Sequence, residues 1–198
     1  MPLATSEMVP SPPQAIMRRT PFCAARLAIA VAILGSLPAL ALAHGPSRQK
    51  VTESIEINAP VDKVWAVVGN FQDINWLPIV AKTEGTGGND VNATRKLTLK
   101  NGGIVEEQLD KYDAEEHTYA YEITKVDVKV LPVNDYSAHI TVTANGDKST
   151  VEWKGAFYRG YMLNDPPPEL SDEVALKAVT GLYKDGLAAL KKKIEGGS

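Results

Sequence analysis

The 198-residue sequence contains one cysteine, Cys23, and only three histidines. A single cysteine cannot form an intrachain disulfide, and these residues do not recur at the spacing of a metal site. The sequence also has no nucleophile elbow, phosphate-binding loop or dinucleotide-binding fingerprint. We therefore predict no bound metal, no cofactor and no catalytic residue belonging to those motifs.

Charge of one sign is not in large excess, since 21 Lys and Arg stand against 24 Asp and Glu. Without residues 1–43, which are assigned below to a leader, 18 basic residues face 23 acidic ones and the net charge is −5. A mildly acidic chain with no basic stripe is a poor match for nucleic acid or an anionic membrane. This balance would suit a basic protein partner.

The one long apolar run lies near the N-terminus. Arg18-Arg19 precede an Ala- and Leu-rich stretch, 27–42, which ends in the small-x-small pattern Ala41-Leu42-Ala43. This order is typical of a secretory signal peptide, and the apolar stretch is short for a transmembrane helix. We therefore predict that 1–43 is a cleaved signal peptide and that the protein is exported to the periplasm.

Cleavage before His44 leaves 155 residues, 44–198, with no membrane anchor. A chain of this length suits a single domain with a sizeable core. Both Met1 and Met17 are compatible with this interpretation as the start of translation.

A strand followed by a helix is predicted near the start of the mature chain. Polar and apolar residues alternate along Val51–Ile57, and the break at Ala59-Pro60 suits the first turn of a helix. Apolar residues at 61, 64, 65 and 68 then recur at helical spacing. Gly69-Asn70 predicts a turn, and a second short helical segment is expected to end at Trp76-Leu77-Pro78, because the residue before a proline avoids the α region.

Beyond residue 79 the period of the apolar residues is mostly two, as in half-buried strands. Asn101-Gly102-Gly103 and Asn145-Gly146-Asp147 predict tight hairpin turns, and Asp113–His117 predicts a looser one. Together with Val51–Ile57, six segments give an antiparallel meander of about seven strands. The six are Ile79–Thr83, Arg95–Leu99, Ile104–Tyr112, Thr118–Val126, Tyr136–Ala144 and Thr150–Tyr158.

A long C-terminal helix is predicted at Asp172–Glu195, with Ser171 as its N-cap. Acidic residues in its first turn and lysines in its last turn complement the helix dipole. About 24 residues at 1.5 Å each span roughly 36 Å, which is enough to cross a sheet. The predicted apolar face consists of Val174, Ala178, Val179, Leu182, Leu187, Leu190 and Ile194.

The order of these elements, with Ala59-Pro60, Val64-Trp65 and Asp73 followed by Trp76-Leu77-Pro78, resembles the START/Bet v 1-like (SRPBCC) superfamily. The resemblance covers nearly all of 51–194. It implies an α+β helix-grip fold, in which a curved antiparallel sheet surrounds a long C-terminal helix and a pocket lies between them.

A closer resemblance is to the polyketide cyclase-like branch, through Arg95-x-Leu97-x-Leu99, Gly103-x-x-x-Glu107 and Tyr112-Asp113. The residues from His44 onward and the loop Leu163–Pro168 are most similar to the MxaD-like family of periplasmic accessory proteins of methanol oxidation. That resemblance implies a non-enzymatic protein that assists methanol dehydrogenase and its cytochrome c electron acceptor.

Arg95 and Glu107 are predicted on the pocket face of neighbouring strands. If the hairpin loop has three residues, 101–103, Leu97 lies opposite Glu107 and Arg95 lies diagonal to it. Both charges would then point toward the pocket, where they could contact a ligand. They could equally form a buried pair that satisfies itself, and a shift of one residue in register would place both in solvent.

Aromatic and apolar residues complete the predicted pocket. Trp76 and Tyr121 are the first candidates, because concave apolar sites usually include aromatics. Leu182, on the face of the long helix that covers the sheet, is a third. Most other aromatics are expected in the core.

The loop before the long helix is a candidate docking surface. Met162 and Leu163 would offer apolar anchors, and Asp165 and Glu169 an acidic rim. The resemblance places this loop, 161–170, and the segment Phe71–Pro78 near the pocket mouth. Alternatively, the three prolines of the loop only set the direction in which the last helix begins.

Three functions are compatible with the sequence. The first is the periplasmic accessory role in methanol oxidation. The second is binding or carriage of a small hydrophobic ligand. The third is a cyclase or dehydratase activity in which Glu107 or Tyr121 acts as an acid–base group.

Overall fold

The computed structural model describes residues 45–196, so the predicted signal peptide, 1–43, lies outside the described residues. The elements in chain order are β1 (Gln49–Ile57), α1 (Val61–Val68), β2 (Val80–Thr86), β3 (Thr94–Leu99), β4 (Ile104–Asp113), β5 (Thr118–Val126), β6 (Val133–Asn145), β7 (Lys148–Arg159) and α2 (Asp172–Gly196). All seven predicted strands are confirmed, with ends that differ by up to three residues.

The strands form one antiparallel sheet in the order β1-β7-β6-β5-β4-β3-β2. The first and last strands in sequence are therefore neighbours, since β1 pairs with β7, and the two edges of the sheet are β1 and β2. Register shifts interrupt three of the strand pairings, and shifts of this kind bend a strand and increase its twist. The curved sheet and the long helix α2 confirm the α+β helix-grip fold.

Two predicted hairpin turns are confirmed, and each depends on a glycine. Gly102 has φ 84° in the turn between β3 and β4, and Gly146 has φ 62° between β6 and β7. Side chains on Cβ disfavour this left-handed region, whereas glycine enters it freely. Because these turns fix the strand registers on either side, the glycines help decide which side chains meet on the concave face.

The predicted second short helix is wrong. After α1, the segment 69–79 consists of successive turns, with hydrogen bonds from the Asp73 N–H to the Asn70 carbonyl and from the Leu77 N–H to the Ile74 carbonyl. The side chains of Asn70 and Asp73 also accept hydrogen bonds from N–H groups two residues ahead. Such local bonds compete with helical ones, which explains the turns.

Helix α2 was predicted with the correct length but with part of its buried face misplaced. Val174, Ala178 and Leu182 are only partly buried, because they border the groove described below. Seven residues of α2 face the sheet and are buried: Ala175, Val179, Tyr183, Gly186, Leu187, Leu190 and Ile194. Among the described residues, no helix is long and apolar enough to cross a membrane.

Gly186 explains how closely α2 approaches the sheet. A Cβ at this position would collide with Leu77 and Trp153. Gly181, one turn earlier, has no such neighbours and lies beside open space at the groove. The helix is therefore tightly packed near its middle and leaves room for a cavity toward its N-terminal half.

Candidate functional site

An apolar cavity lies between the concave face of the sheet and α2. This inner cavity has a volume of about 60 Å³. Its walls come from β2 to β7, from the turns that follow α1, from the 127–132 turn and from Leu182 of α2. The polar groups among its lining residues are the Glu107 carboxylate, the hydroxyls of Tyr121 and Tyr136, and the Trp153 indole N–H.

A wider outer groove of about 680 Å³ adjoins the inner cavity. The two share the lining residues Leu77, Ile79, Val130, Leu131 and Leu182. Lys177 and Asp185 of α2 also line the groove and supply opposite charges. A molecule that entered through the groove would therefore pass an apolar rim before it reached the tyrosines of the inner cavity.

A chain of hydrogen-bonding groups includes three residues that line the inner cavity, Tyr121, Tyr136 and Trp153. The indole N–H of Trp153 donates to the hydroxyl oxygen of Tyr121 at 3.2 Å. The Tyr121 and Tyr136 hydroxyl oxygens are 3.5 Å apart, and those of Tyr136 and Tyr183 are 2.5 Å apart. The ring of Tyr183 stacks on that of Trp153 with centroids 4.2 Å apart, so this chain also joins α2 to the sheet.

The tyrosines of this chain stay protonated at neutral pH. Burial raises the pKa of Tyr121 and of Tyr136 well above the ordinary tyrosine value, because the apolar surroundings disfavour the phenolate. Burial also raises the pKa of Tyr183, against the lowering effect of its hydrogen bond to Tyr136. These hydroxyls are therefore neutral hydrogen-bonding groups rather than sources of protons.

Arg95 and Glu107 form a buried ion pair beside the cavity. The Arg95 Nε and a Glu107 carboxylate oxygen are 2.5 Å apart, and the two residues are 2% and 5% exposed. Burial is the largest single effect and lowers the pKa of Arg95. The charge of Glu107, the smaller effects of Tyr119 and Tyr121 and the hydrogen bond to Glu107 together outweigh burial, and the pKa of Arg95 is raised. The guanidinium therefore stays charged, and it also donates to the Phe71 carbonyl at 2.8 Å.

The predicted register of this pair requires correction. Arg95 lies directly opposite Glu107, and Leu97 lies opposite Val105. The loop therefore begins one residue earlier than predicted, because Gly102 rather than Gly103 takes the left-handed conformation that closes it. The two charges still meet, because the partner of each residue on β3 changes by two positions along β4. A change of two positions keeps each side chain on the same face of the sheet.

Four of the six predicted pocket residues line the inner cavity: Leu97, Glu107, Tyr121 and Leu182. Trp76 and Arg95 do not line it. Trp76 packs edge-on against Trp153, with ring centroids 5.6 Å apart. Arg95 lies over the Phe71 ring at 4.2 Å and is fully enclosed. Contact with a ligand stays a prediction for the four residues that line the cavity.

The candidate docking residues Met162, Leu163, Asp165 and Glu169 are exposed, with Leu163 68% exposed. However, no residue of 161–170 lines the inner cavity or the outer groove, so this loop does not form the pocket mouth, and its nearness to the mouth stays a prediction. The segment Phe71–Pro78 does reach the mouth, through Leu77 and Pro78.

The loop is held instead by Arg159, at the end of β7. Its guanidinium donates to the Tyr161 and Leu163 carbonyls and to the Asp172 carboxylate, each at 2.8 Å. Because Asp172 is the first residue of α2, this arginine fixes the direction in which the helix begins. These contacts belong to Arg159, so the alternative interpretation, in which the three prolines set the direction of the helix, stays a prediction.

Sequence reasoning missed several cavity residues. Tyr136 and Trp153 lie on the apolar parity of their strands, which marks them as buried but does not separate core from cavity wall. Val130 and Leu131 lie in a turn, outside any periodic segment. An apolar pair between polar turn residues is the signal that could have identified them.

The described residues contain no group of three or more His, Cys, Asp or Glu arranged to hold a metal ion. The polar groups of the inner cavity are one carboxylate already paired with arginine, neutral hydroxyls and an indole N–H. This arrangement can orient a small molecule by hydrogen bonding while apolar walls remove it from water.

Comparison with known proteins gives one family and several related structures. The family described as polyketide cyclase / dehydrase and lipid transport matches residues 48–195. No curated protein matches the sequence.

Among solved structures, the chain is similar to an uncharacterized protein from Bacillus thuringiensis. The identity is 31% and the TM-score 0.63, over 74% of this chain and 98% of that one. It is also similar to the protein XoxI from Bacillus cereus, with 32% identity and a TM-score of 0.62, over 73% of this chain and 94% of that one. The Zhui aromatase/cyclase from Streptomyces sp. R1128 is 16% identical with a TM-score of 0.62, over 75% and 94% of the two chains, and shares the fold alone.

Proposed function

The chain belongs to the polyketide cyclase / dehydrase and lipid transport family, and we propose that within it the protein acts as a non-enzymatic binder of a small hydrophobic molecule. The observation that supports this function is the inner cavity adjoining the outer groove, with five apolar residues common to both. Small-molecule sites are usually concave and apolar with few polar groups, and this one fits that description.

The chemistry of the cavity favours binding over catalysis. A cyclase or dehydratase would need Glu107 or Tyr121 to transfer protons near neutral pH. Glu107 is held in an ion pair by Arg95, and the raised pKa of Tyr121 makes its hydroxyl a weaker acid. The fold itself accommodates enzymes, as the Zhui aromatase/cyclase shows, so it is these side chains and not the fold that favour binding.

Replacing Leu182 with Trp is expected to weaken binding of an apolar probe about tenfold or more, because an indole would fill the space shared by cavity and groove. The measurement is a titration with N-phenyl-1-naphthylamine, a neutral dye whose fluorescence rises in apolar surroundings. The control is Leu176→Trp, the same change at an exposed leucine of α2 that lines neither cavity nor groove.

Equal dye affinity in the two variants would mean that the dye binds elsewhere. A wild-type protein that does not enhance the dye's fluorescence at all would count against a binding function for this cavity.

A second proposal concerns partners and location. We propose that the protein is a periplasmic, MxaD-like accessory protein that assists methanol dehydrogenase and its cytochrome c acceptor. The support is the resemblance of the residues after His44 and of the loop Leu163–Pro168 to that family. The loop also presents Met162 and Leu163 at an exposed surface beside acidic residues, an arrangement that suits a protein partner.

Under this second proposal, replacing Met162 and Leu163 with Ser and Asp165 and Glu169 with Lys is expected to reduce electron transfer from the dehydrogenase to the cytochrome. The apolar anchors would be lost and the acidic rim reversed. The assay compares turnover, with and without the accessory protein, at two salt concentrations.

The matched control changes Val91 to Ser and Asp90 to Lys. These residues combine an exposed apolar side chain with an acidic one, on the loop between β2 and β3. If the 161–170 variant stays folded and supports electron transfer as well as this control does, the loop is not the docking site.

A further inference from the structure

The hydroxyl of Tyr121 is a buried donor without a close acceptor. Tyr121 is 1% exposed, and its oxygen already accepts from the Trp153 indole. Within residues 45–196, the shortest bond that the hydroxyl proton can make is the 3.5 Å one to Tyr136. A short O–H···O bond is about 2.7–2.8 Å, so this contact is weak. The neighbouring Tyr136 hydroxyl makes its short contact with Tyr183 instead.

The charge at this end of the cavity disfavours anions. Glu107 lines the inner cavity, and Arg95, its counter-charge, lies behind it and outside the lining. No Lys, Arg or His is among the described residues that line the inner cavity. A carboxylate brought here would be removed from water with no free cation to neutralise it, because Arg95 is already paired with Glu107.

The inner cavity and the outer groove would hold different parts of a ligand. The inner cavity of about 60 Å³ has room for on the order of four to six water-sized groups, which is comparable with one small ring. Aromatic side chains of Tyr121, Tyr136 and Trp153 form part of its wall. The wider groove, with Leu77, Leu131 and other apolar residues, would take an aliphatic extension.

We infer that the ligand is a neutral molecule with an alcohol, phenol or carbonyl oxygen at its buried end and an apolar body that extends into the groove. The oxygen accepts a hydrogen bond from the Tyr121 hydroxyl. This inference rests on the proposed binding function and adds to it the chemical class of the ligand.

Three probes with the same ring and butyl chain test this class on the wild-type protein: 4-butylphenol, butylbenzene and 4-butylbenzoate. Each is measured by displacement of N-phenyl-1-naphthylamine and independently by calorimetry. We expect 4-butylphenol to bind about fivefold or more tightly than butylbenzene, because the hydrocarbon leaves the Tyr121 donor unpaired. We expect 4-butylbenzoate to bind at least about tenfold more weakly than 4-butylphenol, because its charge would lose water without gaining a free cation.

Tyr121→Phe then tests the donor itself. This variant is expected to lose about five- to tenfold in affinity for 4-butylphenol and nothing for butylbenzene. Tyr158→Phe is the matched control, since Tyr158 is on β7 but outside the cavity lining. Cooperative thermal unfolding of both variants establishes that they are folded, and the ranking of the three probes on wild-type protein does not depend on either variant.

The outcomes separate this inference from the function on which it rests. If none of the three probes binds and the dye does not bind either, the binding function fails. If all three bind alike, or if the benzoate binds best, the binding function stands and the ligand class is overturned. If 4-butylphenol binds best but Tyr121→Phe matches Tyr158→Phe, the hydrogen bond from Tyr121 is overturned.

Discussion

Truncation of the chain after Glu169 is expected to abolish the cooperative thermal unfolding transition. The truncation removes α2, and with it seven buried residues that cover the concave face of the sheet. Burial of Val179, Leu187, Leu190 and Ile194 contributes about 1.5–3 kcal/mol each, or about 6–12 kcal/mol together. That is comparable with the whole stability of an ordinary domain, about 5–15 kcal/mol.

The measurement is circular dichroism as a function of temperature, with the untruncated chain 44–198 as the reference. A pair of point variants refines it. Leu187→Ala should cost about 2–5 kcal/mol, because Leu187 is 2% exposed in the core. Leu182→Ala, the same change at the partly exposed cavity wall, should cost less. A truncated chain that melts cooperatively at the same temperature as the intact protein would refute the prediction.

Removing one member of the Arg95–Glu107 pair is expected to destabilise the protein by about 3–5 kcal/mol. Arg95→Met leaves the Glu107 carboxylate buried without its partner. Glu107→Leu likewise leaves the Arg95 guanidinium buried and unpaired with a carboxylate. The double variant should cost less than either single one, because no buried charge remains. It should still cost about 1–3 kcal/mol, since the Phe71 carbonyl loses the donor that Arg95 provides.

Urea unfolding of the wild type, the two single variants and the double variant gives the coupling energy between the side chains. The exposed pair Lys82–Glu84, with nitrogen and oxygen 2.8 Å apart, is the control. No measurable coupling is expected there, because water screens both charges. A coupling energy near zero for Arg95 and Glu107 as well would show that burial does not strengthen their interaction.

The sequence by itself determined the features that depend on neighbouring residues. Alternation with a period of two located the seven strands, because successive side chains of a strand point to opposite faces. Gly102 and Gly146 located two turns, because glycine accepts left-handed backbone angles. Ser171 and the charges at the two ends of α2 located the helix, because capping and the helix dipole act within one turn.

The same local reasoning predicted four residues that line the cavity, among them Glu107 and Tyr121. Parity assigns a residue to a face of the sheet, and the resemblance to the helix-grip fold indicated which face is concave. Neither argument could tell a residue that borders the cavity from one that lies behind it, such as Trp76 or Arg95.

Only the tertiary structure decided which side chains meet. The hydroxyls of Tyr121, Tyr136 and Tyr183 come from two strands and the last helix, and they adjoin only because the sheet bends and α2 crosses it. The 161–170 loop is outside the lining of cavity and groove, and Arg159 holds it to the start of α2. Turn chemistry and periodicity act over a few residues, whereas contacts between distant residues depend on strand register, bulges and helix packing across the whole domain.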